Sequence, residues 1–218
     1  PIWFMRQAGR HLPEYRELRS KKENFLEFCF DKNSIVEATL QPIKRYKIDC
    51  AIIFCDILIV PYVLGQSTSF IKGEGPLLES LSLEDLTNLN TLPQKEKDLQ
   101  NTYKAIKEVR KKLNKNKSLI GFCGGPWTVA CYMINGKGDG KFKVATEKIK
   151  QEKTLLIQLL DKLVEQSVEH LYQQYVCGCD TLMIFESWAG LVPYQEYKDI
   201  LIDPVNKIIK KLQLLGVS

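Results

Sequence analysis

Residues 118–133 read SLIGFCGGPWTVACYM. The first part, Ser118–Phe122, is an apolar run without polar alternation, the pattern of a strand covered on both faces. Glycine and proline then interrupt it, and the apolar residues resume through Met133 at helix-like spacing. A buried strand that hands over to a helix is the unit of a parallel sheet, because parallel neighbours need a crossover connection.

Working outward, the same strand signature occurs at Ile2–Met5, Cys50–Phe54 and Thr181–Phe185. Helical patterns lie between. Ser34-Ile-Val-Glu37 reads as a capping box that opens a helix through about Tyr46. Ser82-Leu-Glu-Asp85 is a weaker version of that signal. Residues 94–114 form a lysine-rich amphipathic helix. Residues 144–175 carry Leu155, Leu156, Leu159, Leu160, Leu163 and Val164 at helical spacing, a core-facing stripe. Residues 193–214 read as a helix that breaks or restarts at Pro204. Ser67–Pro76 alternates and carries two glycines, which suggests a β-hairpin off the main body.

A chain of 218 residues with 44% hydrophobic residues can build one domain with a sizeable core. Four strand–helix units point to a (β/α)8 TIM barrel, which takes about 250 residues or more. Residues 1–218 therefore read as one incomplete barrel domain, its first four β/α units or so, with the C-terminal part absent. The net charge of +5 comes from lysines mixed with acids, so solvated helix faces explain it better than a nucleic-acid patch. No run approaches the roughly 18 apolar residues of a membrane helix. There is no secretory signal, and the expectation is a cytoplasmic protein. Because the chain begins at Pro1 without a methionine, organellar targeting stays open. The seven cysteines lack any Cys-x-x-Cys pair and sit mostly in apolar segments, which reads as buried, reduced thiols.

Polar residues break the apolar rule just after each expected strand. Arg6 and Arg10 follow the first and Asp56 the second; Trp127, Thr128 and Tyr132 follow the third, and Glu186 and Ser187 the fourth. In a parallel barrel the C-terminal strand ends share one face, and active sites are built there, so these groups are expected to converge. Paired arginines suit a ligand with several carboxylates, which guanidinium forks bind in a bidentate way. Arg16 and Arg19 either extend that patch or lie on a helix surface. Asp56 is a lone acid in the apolar run Ile52–Val60, so it needs a partner: an arginine, ligand N–H groups, or the local backbone it caps. Tyr132 and Ser187 could donate to a carboxylate.

Other motifs are weak. Gly136-Lys-Gly-Asp-Gly140 follows a helix and lacks the ending of a P-loop, so it is a turn or a flexible lid. His11 adjoins the arginines, and His170 lies within a helix as a surface or packing residue. No metal-ligand set is legible.

The blocks MRQAGRHLPEYRELR, AIIFCDILIVP, GFCGGPWTVACYM and FESWAG closely resemble the uroporphyrinogen decarboxylase family, in register over essentially the whole chain. The resemblance implies a distorted (β/α)8 barrel, active as a homodimer without cofactor or metal. It implies a carboxy-lyase that removes the four acetate carboxyls of uroporphyrinogen III to give coproporphyrinogen III. Carried over residue by residue, it makes Asp56 and Arg6 catalytic. Substrate would be bound by Arg6, Gln7, Ala8, Arg10, Asp56, Tyr132 and Ser187. The sequence departs from the family at His11, in the loop Asn135-Gly-Lys-Gly-Asp139, and at Trp188, where the family often has histidine. The family also continues beyond the equivalent of residue 218 to a substrate-binding histidine, so this piece by itself is expected to be inactive. Two other readings stand beside it: a corrinoid-dependent methyltransferase of the same barrel superfamily, and a truncated, non-catalytic chain.

Overall fold

The computed structural model describes residues 2–5, 7–71 and 75–217. Helices α1 (Pro13–Ser20), α2 (Phe25–Phe30) and α3 (Lys32–Arg45) precede strand β1 (Cys50–Ile52). Helix α4 (Ile59–Val63), the antiparallel pair β2 (Thr68–Ile71) and β3 (Gly75–Leu78), and helices α5 (Leu83–Asn88) and α6 (Pro93–Lys112) lead to β4 (Ser118–Gly124). Helices α7 (Pro126–Asn135), α8 (Lys143–Gln151) and α9 (Lys153–Val176) lead to β5 (Thr181–Phe185). Short 3-10 turns and a π-helical turn at Lys198–Ile202 then lead into α10 (Asp203–Leu214). The fold is mixed α/β.

The main sheet has the order β1-β4-β5. β1 and β4 run parallel with Cys50 opposite Ser118 and Ile52 opposite Ile120. The Asp180 N–H donates to Leu119 O and the Gly125 N–H to Phe185 O, so β5 advances alongside β4 in the same direction. β4 is buried from Leu119 to Gly124 on both faces, which is what its unbroken apolar sequence demands.

The expected hairpin is present, although Lys72–Glu74 at its tip lie outside the described residues. Helix α5 starts at the expected Ser82, whose Oγ accepts from the Asp85 N–H at 3.1 Å. Three expectations are corrected. Ile2–Met5 is not a strand: Ile2 O accepts from the Asp49 N–H and the Ile2 N–H donates to Asp49 Oδ2, no ladder forms among the described residues, and Ile2, Phe4 and Met5 are exposed. Apolar composition cannot make a strand without a ladder to join. The cap of α3 is Asp31, whose Oδ1 accepts from the Ser34 N–H at 2.7 Å, while Ser34 itself is buried inside the helix. The long pattern over 144–175 is two helices, broken at Glu152, where φ is −139°.

The chain divides into two compact units. The first holds Pro1–Asp56, Glu96–Phe122 and Gln173–Met183. Part of its core is an aromatic cluster: the Phe28 ring lies 5.0 Å from Phe54 and 5.6 Å from Tyr15, both edge-on or nearly so. The Gln174 amide donates to Phe122 O and accepts from the Phe122 N–H, both at 2.9 Å, satisfying these β4 backbone groups with a side chain. Gly121 makes room for it, since a Cβ there would stand 2.7 Å from Gln174 Oε1.

The second unit holds Ile57–Lys95, Cys123–Tyr172 and Ile184–Ser218. Its core gathers Trp127, Met133 and Phe142 with Leu156, Leu159, Leu160 and Leu163 of α9. Each such side chain contributes about 1.5–3 kcal/mol on burial. The leucines recur at the helical interval, so a single face of α9 supplies them.

Candidate active site

In the first unit, Asp56 follows β1 after a short irregular segment and is half-buried. The Phe54 N–H donates to Thr39 Oγ1 at 2.9 Å, and the Thr39 hydroxyl donates to Ile35 O at 2.7 Å. That relay anchors to α3 the backbone leading to Asp56. The Asp56 charge is felt by two buried neighbours. Burial, then the charges of Cys29 and Asp56, push the Tyr15 phenol up to about 12, against the pull of Arg19 and Arg10. Burial first and Asp56 second raise the Cys29 thiol well above its usual value. Arg10 and Asp56 therefore act on the same phenol, one from each side of the charge balance.

Arg10 is exposed, and its carbonyl accepts from Arg16 Nη1 at 2.7 Å. Arg16 thus supports the segment that carries Arg10. Arg19 does not join it: its guanidinium lies 5.9 Å from the centres of Phe25 and Phe28 and donates to Lys22 O. Ala8 packs against the aromatic cluster. Gln7 is buried, and its side chain donates to Cys50 O at 2.7 Å and accepts from the Ile52 N–H at 3.4 Å. Arg6 lies outside the described residues.

In the second unit, Tyr132 stands on α7, which starts directly after β4, and is half-buried with its ring edge-on to Phe142 at 5.0 Å. Ser187 is exposed just past β5. Glu186, noted in the sequence but given no role, organises this end of the unit. Its carboxylate accepts from the N–H groups of Thr128 at 2.6 Å and Trp127 at 3.3 Å, at the N-terminus of α7. Burial raises its pKa, opposed by the hydrogen bonds from Thr128 and Trp127. Thr128 Oγ1 also accepts from the Trp188 N–H, and Trp127 Nε1 donates to Trp188 O. Gly125 permits the approach, since a Cβ there would clash with Glu186 Oε2. The one sequence signal for this clamp is an acid directly after a strand, with a glycine pair closing the neighbouring strand.

Among the described residues, no group of three or more His, Cys, Asp or Glu side chains is arranged to hold a metal. None of the seven cysteines forms a disulfide, and five of them are buried. No helix among the described residues is long and apolar enough to cross a membrane.

Comparison with solved structures defines the class of fold. A methyltransferase from Methanosarcina mazei superposes with a TM-score of 0.70 over 90% of this chain and 58% of its own, at 17% identity. A likeness at that identity speaks for architecture alone. A family model for uroporphyrinogen decarboxylase (URO-D) matches residues 1–217. Curated uroporphyrinogen decarboxylases of Rickettsia felis and Rickettsia bellii are each 46% identical over 98% of this chain. The chain belongs to the uroporphyrinogen decarboxylase family. It spans 61% and 62% of the length of these two relatives.

Proposed function

We propose that the protein carrying this chain is a uroporphyrinogen decarboxylase, a carboxy-lyase that converts uroporphyrinogen III to coproporphyrinogen III without metal or cofactor. The observation that carries the reading is Asp56, a half-buried acid beyond β1 in the same unit as Arg10, in a chain of this family. A substrate with eight carboxylates suits arginines, and four pyrrole N–H groups suit a half-buried carboxylate. In this scheme Asp56 accepts hydrogen bonds from the pyrrole N–H groups and stabilises the cation formed when a pyrrole carbon is protonated. Carbon dioxide leaves from that intermediate, a second protonation at the exocyclic carbon completes the methyl group, and the ring carbon then releases the first proton to restore the pyrrole. Arg10, Tyr132 and Ser187 hold the peripheral carboxylates, while Gln7 and Ala8 shape the loop between the arginines. Arg6 orients a carboxylate and supports the charge; guanidinium is too weak an acid for a simple proton donor.

The same reading makes the chain the first four β/α units or so of a distorted (β/α)8 barrel, within a longer, cytoplasmic, homodimeric enzyme of tetrapyrrole synthesis. Its support is membership of the family and the order of strands and helices.

The test is anaerobic incubation of the full-length protein with uroporphyrinogen III, followed by chromatography of the oxidised porphyrins. Asp56→Asn and Arg6→Ala run beside the wild type. Stepwise seven- to four-carboxylate products, lost in both variants, establish the activity and both roles. Unchanged substrate beside an active control enzyme overturns the proposal.

A further inference from the structure

The segment between α7 and α8 holds a backbone outlier. Phe142 lies at φ 44°, ψ 48°, and is the only non-glycine residue with positive φ among the described residues. A bulky side chain is strained in this left-handed region, where glycine or asparagine turns the chain more easily. Strain of this kind persists only where the surroundings over-determine the conformation.

Those surroundings are specific. Asp139 Oδ1 accepts from the N–H groups of Phe142 at 2.7 Å and Lys141 at 2.9 Å, holding the turn. Phe142 O accepts from the Thr146 N–H at 3.0 Å, so the same residue opens α8. Its fully buried ring stands edge-on to Tyr132 and tilted against Trp188, each at 5.0 Å between centres. The loop also bounds Tyr132: a Cβ on Gly138 would stand 2.7 Å from Tyr132 Cε1. Tyr132 thus touches both the Phe142 ring and the loop at Gly138. Trp188, which follows Ser187, meets the Phe142 ring with its own ring and the first turn of α7 through its backbone N–H and carbonyl.

We propose that Phe142 is a positioning residue, whose left-handed turn drives its ring between Tyr132 and Trp188 and so fixes the hydroxyls of Tyr132 and Ser187 for the carboxylates of the substrate. What those hydroxyls meet rests on the decarboxylase reading; the placement of Tyr132 does not. Small displacements of orienting groups cost rate without loss of fold.

The experiment uses the full-length protein with Phe142→Leu, which keeps apolar volume, and Gly138→Ala, which presses on Tyr132 from an exposed loop. Fluorotyrosine at position 132 reports ring placement by 19F NMR. The expected result is a shifted or broadened 19F line in both variants. A fall in kcat/KM of about 10-fold, carried mainly by KM, accompanies it. In a Tyr132→Phe background Phe142→Leu adds less than about twofold, because coupled residues are not additive. An unchanged 19F line in Gly138→Ala and in folded Phe142→Leu, or fully multiplicative kinetic losses, overturns the proposal. If the wild type leaves uroporphyrinogen untouched while the 19F line responds, the decarboxylase reading fails and the placement of Tyr132 by Phe142 stands.

Discussion

Glu186 accepts a 2.6 Å hydrogen bond from the backbone N–H of Thr128, and through it the loop after β5 is fastened to the first turn of α7. The carboxylate answers amides that the helix cannot satisfy itself. Glu186→Ala leaves them without it and should cost about 1 kcal/mol, a fall of a few degrees in Tm. The pH dependence has a definite sign. Burial raises the carboxyl above its ordinary 4.5, so just above that pH the native state keeps a proton the unfolded state has released. Stability contributed by this group is therefore lost as pH rises through its folded pKa. The advantage of wild type over Glu186→Ala should be largest below pH 4.5 and shrink towards neutrality. Calorimetry from acid to neutral pH checks it, and an advantage that grows with pH contradicts it.

Arg10 and Arg16 should separate kinetically. Arg10 is exposed, whereas Arg16 Nη1 donates to Arg10 O. Under the proposed function, Arg10→Ala raises KM by about 10- to 100-fold, the value of a charge-assisted contact to a carboxylate. Arg16→Ala gives a smaller rise, because it loosens the backbone that carries Arg10. Steady-state kinetics of the full-length variants decide; an unchanged KM in Arg10→Ala removes that residue from substrate binding.

Gln7 makes a different demand. Its buried amide bridges Cys50 O and the Ile52 N–H, and so serves β1 where a neighbouring strand otherwise would. Gln7→Leu leaves both backbone groups short of a partner and should cost about 1–3 kcal/mol. Gln7→Glu should cost more, since a carboxylate facing Cys50 O accepts where a donor is needed. Denaturant midpoints measure both. A Gln7→Leu variant as stable as wild type would show that the bridge contributes nothing net.

Strong periodicity made much of this architecture legible in advance. Thr181–Phe185 is a strand over the residues expected, and the lysine-rich helix appears at Pro93–Lys112, because both carry unbroken patterns bounded by turn residues. Ile2–Met5 has the composition of a strand but not its pairing, and composition cannot reveal whether a strand finds a ladder. Asp31 and Ser34 are both good cap residues, and only the burial of Ser34 decides between them. At the site, the acid at 186 was visible but its partners were not, since Thr128 lies 58 residues away in sequence. Phe142 carries no turn signal in the sequence, since a bulky side chain disfavours positive φ; the Asp139 side chain that accepts from its N–H is what the sequence could not place.

His170, on α9, is 2% exposed, and desolvation lowers its pKa to about 4 from 6.5. Between those values the unfolded chain binds a proton that the native state refuses. The stability this neutral imidazole contributes is fully present above pH 6.5 and is lost as pH falls towards 4. The loss amounts to about 3 kcal/mol over that interval. His170→Gln removes the titration while keeping a polar side chain of similar reach. Its Tm should sit below wild type at pH 7.5, because the cavity is no longer filled by the ring, yet it should fall less steeply on acidification. The two melting curves should approach one another near pH 5. Parallel acid limbs for wild type and His170→Gln would assign the acid sensitivity to other groups and leave His170 as a packing residue only.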